Sequence, residues 1–144
     1  MTEFKLIGVH PIKHSDLGFN NTLFGGQLLY WLDGDAVAYV MEICDTPRMV
    51  TVSMDKCLFK KPASPSHIIK IYAKISSFGN TSIILNVEAR RHHVYNGNQS
   101  VILATDINFV RVDEEGSPIP ISERVKNKYK ENADNINRTK SNFQ

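Results

Sequence analysis

One segment governs what this chain can fold into. Residues 24–44, FGGQLLYWLDGDAVAYVMEIC, are the only stretch with the length and apolar content of a long helix, and the chain beyond it is built mainly from strand-like runs. Pro47 in "DTPRM" stops the helix. Met49 to Phe59 is β-rich and ends at "KKPASPS". Over 68–75, Ile69, Ile71, Ala73 and Ile75 alternate with Ile68, Lys70, Tyr72 and Lys74. Over 82–90, Ile83, Leu85, Val87 and Ala89 alternate with Ser82, Ile84, Asn86, Glu88 and Arg90. This two-residue period is that of half-buried strands. "FGNTS" supplies one turn and Asn96-Gly97 a hairpin signal. Val101 to Val112 reads as a long last strand, and Phe4 to Ile12 as a short first one. The predicted order is one strand, one helix, then four strands as an antiparallel meander. A helix that is apolar on most sides needs an enclosure, so the expected fold is α+β, an antiparallel sheet wrapped around one long central helix.

The 144 residues suit one domain, read as residues 1–122, with 123–144 as a polar C-terminal segment that begins as a short helix and continues as a solvated tail. A net charge of +2 is too mild to argue for nucleic acid, and the basic residues do not interleave with aromatics as a stacking surface requires. Cys44 and Cys57 lie thirteen positions apart with no metal-ligand spacing, which predicts two reduced thiols, no disulfide and no zinc. The N-terminus has no signal-peptide pattern, and no apolar run has the length of a membrane span. A cytoplasmic protein without membrane insertion is expected.

Two acids interrupt the helix. At 100° per residue, Asp33 shares a side with Leu29, Ala36, Val37 and Val40, flanked by Leu32 and Ile43, which reads as the core-facing stripe. Asp35 falls opposite, with Gln27, Trp31, Ala38 and Glu42, and is expected to be solvated or at an interface. A carboxylate on an apolar face must be paired, hydrogen-bonded or used. Gly25 and Gly26 open the helix, where N–H groups lack partners, the dipole is positive and glycine lets a ligand approach the backbone. Asp33 lies eight residues after Gly25, about 12 Å of rise, so the two cannot act on one atom within a straight helix. Two antiparallel helices of a symmetric dimer would let one supply the N–H groups and the other the carboxylate, forming two shared sites.

"NNTLFGGQLLYWLD", "VTVSMDKCLFKKPA", "FGNTSIILNVEARR" and "LATDINFVRVDEEGSPIP" together resemble the acyl-CoA thioesterases of the hotdog fold, in the group of bacterial acyl-CoA hydrolases related to the cytosolic brain-type enzyme. The resemblance runs from about Ile7 to Ile121. It implies that Gly25, with Gly26 beside it, donates an N–H to the thioester carbonyl, and that Asp33 is the general base for water or the nucleophile. It implies that Asn20, with Asn21 adjacent, positions substrate or water, and that a hydroxyl on the strand across the dimer, Thr51 or Ser53, lies near the site. It places Ser82 and the basic residues Lys60, Lys61, Arg90 and Arg91 in the region that receives the pantetheine and phosphates of CoA. It implies no cofactor beyond the CoA of the substrate, and assembly as a dimer or a multiple of dimers, hexamers included. Three positions depart from the family pattern: Gly18 and Phe24 stand where some relatives carry Asn and His, and Asp35 stands where relatives often have a small residue.

The rival catalytic acid is Asp16 in "HSDLG", since another hotdog branch uses a loop Asp; a turn or cap role is its other reading. "RRHHVY", 90–95, reads either as a basic contact for CoA phosphates or as a solvated strand end. None of the five histidines lies on the helix or at a spacing suited to a Ser-His-Asp arrangement. The functional alternative is a hotdog protein that binds acyl-CoA in a regulatory role without turnover.

Overall fold

Helix α1 spans Gly25–Cys44 in the computed structural model, which describes residues 3–130. Phe24 precedes it in an extended conformation, without a side-chain cap. The helix ends at Asp45, which adopts the left-handed conformation (φ 54°) and returns its N–H to Met41 O. Aspartate enters that region more readily than most residues, and Pro47 comes close behind, where the helix could not have continued.

The strands are β1 Lys5–Pro11, β2 Met49–Phe59, β3 His67–Phe78, β4 Ser82–His93 and β5 Gln99–Arg111. They form one antiparallel sheet in the order β1-β3-β4-β5-β2. Only β3, β4 and β5 make the expected meander. β2 does not turn back onto β3; it lies at the far edge against β5, and β1 holds the opposite edge. The connection from β2 to β3 carries Pro62 and Pro65, which favour extended backbone and suit a crossing better than a tight hairpin.

The sheet's inner face is the strand pattern made physical. Ile69, Ile71, Ala73, Ile75, Ile83 and Leu85 are fully buried under α1. The helix presents Leu28, Leu32, Ala36, Val40 and Ile43 to them. This corrects the predicted stripe: Leu29, Asp33 and Val37 are only half-buried, about one residue's rotation away from the true core face. The sheet covers one side of the helix and leaves its flanks open, so a helix apolar on several sides does not have a uniformly buried surface. Leu32, at 0% exposure, sits at the centre of this packing. Leu32→Ala is expected to lower the unfolding free energy by about 2–5 kcal/mol, read from urea denaturation, because the site cannot collapse without moving the sheet.

Residues 123–130 are helical, and Ile121 and Val125 are buried in the core. Tyr129 packs on Phe78, with ring centroids 6.3 Å apart. The short helix thus turns an apolar side to one end of the core; the tail expected beyond it lies outside the described residues. Cys44 and Cys57 are both free thiols. Burial pushes Cys44 up to about 11, so its thiol stays neutral at physiological pH.

Candidate active site

The two helix acids occupy opposite flanks of α1, each facing one edge of the sheet. On the β2 side, Thr51 donates its hydroxyl to Asp33 Oδ1 at 2.7 Å. On the β1 side, His10 Nε2 lies 2.6 Å from Asp35 Oδ2, and the imidazole stacks flat on Trp31 (centroids 4.7 Å apart, planes 5° from parallel). Asp35 is thus 21% exposed and paired, which departs from the solvated one of its two expected readings. Its space comes from Gly8: a Cβ there would overlap the Asp35 carboxylate. The strand register shifts between Leu6 and Gly8, which brings His10 and the bare backbone of Gly8 to the same carboxylate.

A groove of about 540 Å³ joins the two flanks. Asp33, Thr51 and Met54 line one end, His10, Trp31 and Asp35 the other. Between them lies Gly34, with open space where a side chain would stand.

The helix start forms a separate hollow. Gly25 lines it with Leu23, Phe59, Lys60, Lys61 and Pro62. The first backbone bonds into the helix come from Gln27 and Leu28, both to Phe24 O, so the N–H groups of Gly25 and Gly26 are without a partner among the described residues. Phe59 lies against Gly25, where a Cβ would come within 3.2 Å of the ring, and the Phe24 ring covers Gly26, where a Cβ would come within 2.7 Å. A side chain at Gly26 would have to displace the Phe24 ring, and one at Gly25 would need only a small shift of Phe59. Phe24, at the position some relatives fill with histidine, offers only this apolar cover.

The remaining predicted residues divide. Asn20 and Asn21 are exposed in a turn closed by Gly18 N–H to Thr22 O, and neither lines the groove; Asn21 has φ 58°. Ser53 is half-buried on β2 and does not line the groove either. Thr51 reaches Asp33 of its own chain. Ser82 pairs with Val110, whereas Lys60 donates its N–H to Ile102 O, so within one chain Ser82 and the lysines lie at opposite ends of β5. Arg91 hydrogen-bonds Ser100 Oγ at 3.1 Å and Pro62 O, which ties it to the Lys60-Lys61 loop. Arg90 departs from that group. It continues the half-buried row Asn86, Glu88 on the sheet face away from α1, bonds Glu88 at 2.9 Å and stacks 3.9 Å above the Tyr72 ring. The strand period sends neighbouring arginines to opposite faces. His67, beside Arg91, is held below its ordinary pKa by burial first and then by that guanidinium, so it adds no positive charge near neutral pH. Asp16 accepts the Lys13 N–H at 2.8 Å while its carbonyl accepts that of Phe24, the behaviour of a turn residue.

Sequence reasoning missed His10. The available signal was the pairing of a helix acid with a strand glycine, but the register shift that aligns them is invisible without the fold.

The model of the Thioesterase superfamily matches residues 20–95. An uncharacterized acyl-CoA thioester hydrolase of Bacillus subtilis, YkhA, is 27% identical over 119 residues, covering 83% of this chain and 69% of its own. A hexameric hotdog fold thioesterase of Campylobacter jejuni superposes with a TM-score of 0.74 at 32% identity, over 85% of this chain and 93% of that one. An acyl-CoA hydrolase mutant from Staphylococcus aureus, solved in complex with coenzyme A, superposes with a TM-score of 0.73 at 25% identity, over 96% of this chain and 84% of that one. The fold is the hotdog fold. The chain belongs to the Thioesterase superfamily, and with it to the hydrolases of thioesters. Among the described residues no helix is long and apolar enough to cross a membrane.

Proposed function

We propose that this chain hydrolyses acyl-CoA, with water as acceptor, to a free acid and coenzyme A, at sites shared between two protomers. The observation that supports it most is the placement of two half-sites at the two ends of one exposed edge strand. Asp33 is tied to β2 through Thr51, and the Gly25 helix start abuts Phe59. β2 has a neighbour on one side only and exposes Val50, Val52, Leu58 and Phe59. An unpaired apolar edge strand invites pairing. Two β2 strands paired antiparallel about a two-fold axis set the Thr51 end of each against the Phe59 end of the other. Asp33 then meets the helix start and Lys60-Lys61 of the partner, and Ser82 is carried to the same end. Relatives described as hexameric suit such a dimer repeated three times.

In this arrangement the thioester oxygen sits at the Gly25 and Gly26 N–H groups of one protomer. Asp33 of the other takes a proton from water as the oxygen attacks the carbonyl carbon. The negative charge that develops on the carbonyl oxygen is met by fixed N–H dipoles, an effect worth several kcal/mol in comparable sites. The tetrahedral intermediate expels the CoA thiolate, which needs no strong acid. The alternative, attack by the Asp33 carboxylate itself, is separated by whether ¹⁸O from solvent enters Asp33 during turnover. Lys60, Lys61 and Arg91 face the CoA phosphates. Coenzyme A enters and leaves with the substrate, and the reaction so written needs no other cofactor.

Thr51 Oγ1 orients Asp33. Thr51→Val keeps the shape and removes the donor, and is expected to lower kcat about tenfold while Thr51→Ser restores most of it. The test of the whole reading is release of free thiol from acyl-CoA of increasing chain length. Binding of acyl-CoA with no thiol released at any length overturns it in favour of a non-catalytic binding protein.

A further inference from the structure

Hydrolysis at Asp33 uses one end of the groove and leaves the other unexplained. Asp33 and Thr51 stand at the β2 end; the groove then crosses α1 at Gly34 and ends at His10, held on two sides by Asp35 and Trp31. A ring so fixed is not ordinary strand surface. A stacked ring, a 2.6 Å bond and a glycine cleared for the carboxylate all act on one imidazole.

The chemistry of the far end comes from the pair. An ionised carboxylate accepts hydrogen bonds only, so Asp35 holds the neutral imidazole in the tautomer that carries its proton on Nε2. Nδ1 is then a bare acceptor, without a hydrogen bond among the described residues. An acyl chain anchored by its thioester at Asp33 and laid across Gly34 arrives at an acceptor rather than at an apolar wall. A chain ending in a methyl group leaves that acceptor unpaired. A chain ending in a carboxylate meets the field of Asp33 and Asp35. A chain ending in a hydroxyl donates to Nδ1.

We propose that His10, positioned by Asp35 and Trp31, is the specificity-determining residue of this site and selects acyl groups that carry a hydroxyl at the end of the chain. The proposal rests on the thioesterase reading above and assigns its substrate class. Gly34 leaves the passage between the two ends free of a side chain.

The test compares kcat/KM for butanoyl-, hexanoyl- and octanoyl-CoA with their ω-hydroxy, ω-methoxy and ω-carboxy counterparts, assayed at about pH 8, above the ordinary imidazole pKa of about 6.5. At the length that spans the groove, the ω-hydroxy chain is expected to exceed the plain chain by up to about tenfold, the return of one hydrogen bond in a partly buried groove. The ω-methoxy chain, which has the oxygen but no proton to give, and the ω-carboxy chain are both expected to fall below it. In His10→Phe the ratio of ω-hydroxy to plain chain is expected to drop to about one, and in Asp35→Ala to fall partway. His10→Asn serves the same comparison if the phenylalanine does not fold. Equal turnover of hydroxy and plain chains at every length overturns the proposal, as does an unchanged ratio in the His10 variants. Equal loss of turnover on all substrates in a folded His10 variant also overturns it, by placing His10 in the chemistry itself. These results differ from failure of the thioesterase reading, in which no chain of any kind releases thiol. The emission of Trp31, the only tryptophan, gives a second readout: an ω-hydroxy ligand displaced against His10 shifts it, and a plain chain shifts it less.

Discussion

Asp33→Asn is expected to reduce thiol release by about 10²–10⁴-fold while leaving the fold intact, because it removes the group proposed to take the proton from water. Asparagine has nearly the same shape and still accepts the Thr51 hydroxyl, so the 2.7 Å contact survives and only the basicity is lost. The measurement is a thiol-release progress curve beside a thermal melt. Loss of activity with an unchanged midpoint supports the assignment, and full activity removes Asp33 from the mechanism. A complementation experiment then separates a shared site from one confined to a single chain. Gly25→Pro deletes the N–H proposed to hold the carbonyl oxygen, and proline is tolerated at the first position of a helix, after a residue already extended. Each variant alone is expected to be inactive. Unfolded and refolded together in equal amounts, they form mixed dimers in which one of two sites has both an intact Asp33 and an intact Gly25. About a quarter of wild-type activity returns if pairing is random. No recovery, with mixed dimers demonstrated by mass, would mean that each site draws both groups from one chain.

The second large effect is predicted at the edge strand. Val52 (58% exposed) and Leu58 (63% exposed) lie on β2, far more exposed than apolar residues on a sheet interior. Placing charge on such an edge is a way proteins keep strands from pairing. Val52→Asp with Leu58→Asp is expected to yield a particle of one 16.3 kDa chain by light scattering, with hydrolysis reduced to near the level of Asp33→Asn. Neither residue lines the Asp33 groove, so activity would be lost through disassembly rather than through a damaged pocket. An active monomer would overturn the shared-site arrangement, whereas an inactive assembly of unchanged mass would show that pairing does not run through β2.

The elements were legible in the sequence where period and punctuation agreed. The 68–75 and 82–90 runs alternate cleanly because their strands have one face on the core, and that face is buried as the pattern requires. The glycine pair and Asp33 could be placed at the start and in the middle of one helix from residue type and spacing. The helical phase was misread by one residue's rotation. Leu29, Val37 and Asp33 looked like core because hydropathy does not distinguish a half-open flank from a face already packed. The position of β2 was missed for a related reason: pairing partners across a sheet are chosen by long-range packing, and nothing local in "MVTVSMDKCLF" names β5 as its neighbour.

Sequence alone thus determined the helix, the strands and the separation of Asp33 from Gly25 along one axis. These come from residue period and from the fixed rise of a helix. Tertiary structure alone decided that Asp35 is a paired group rather than a solvated one. Its partner His10 is twenty-five residues away and its space comes from the missing side chain of Gly8. Only a sheet that sets β1 and β2 at opposite edges could bring His10 to one acid and Thr51 to the other.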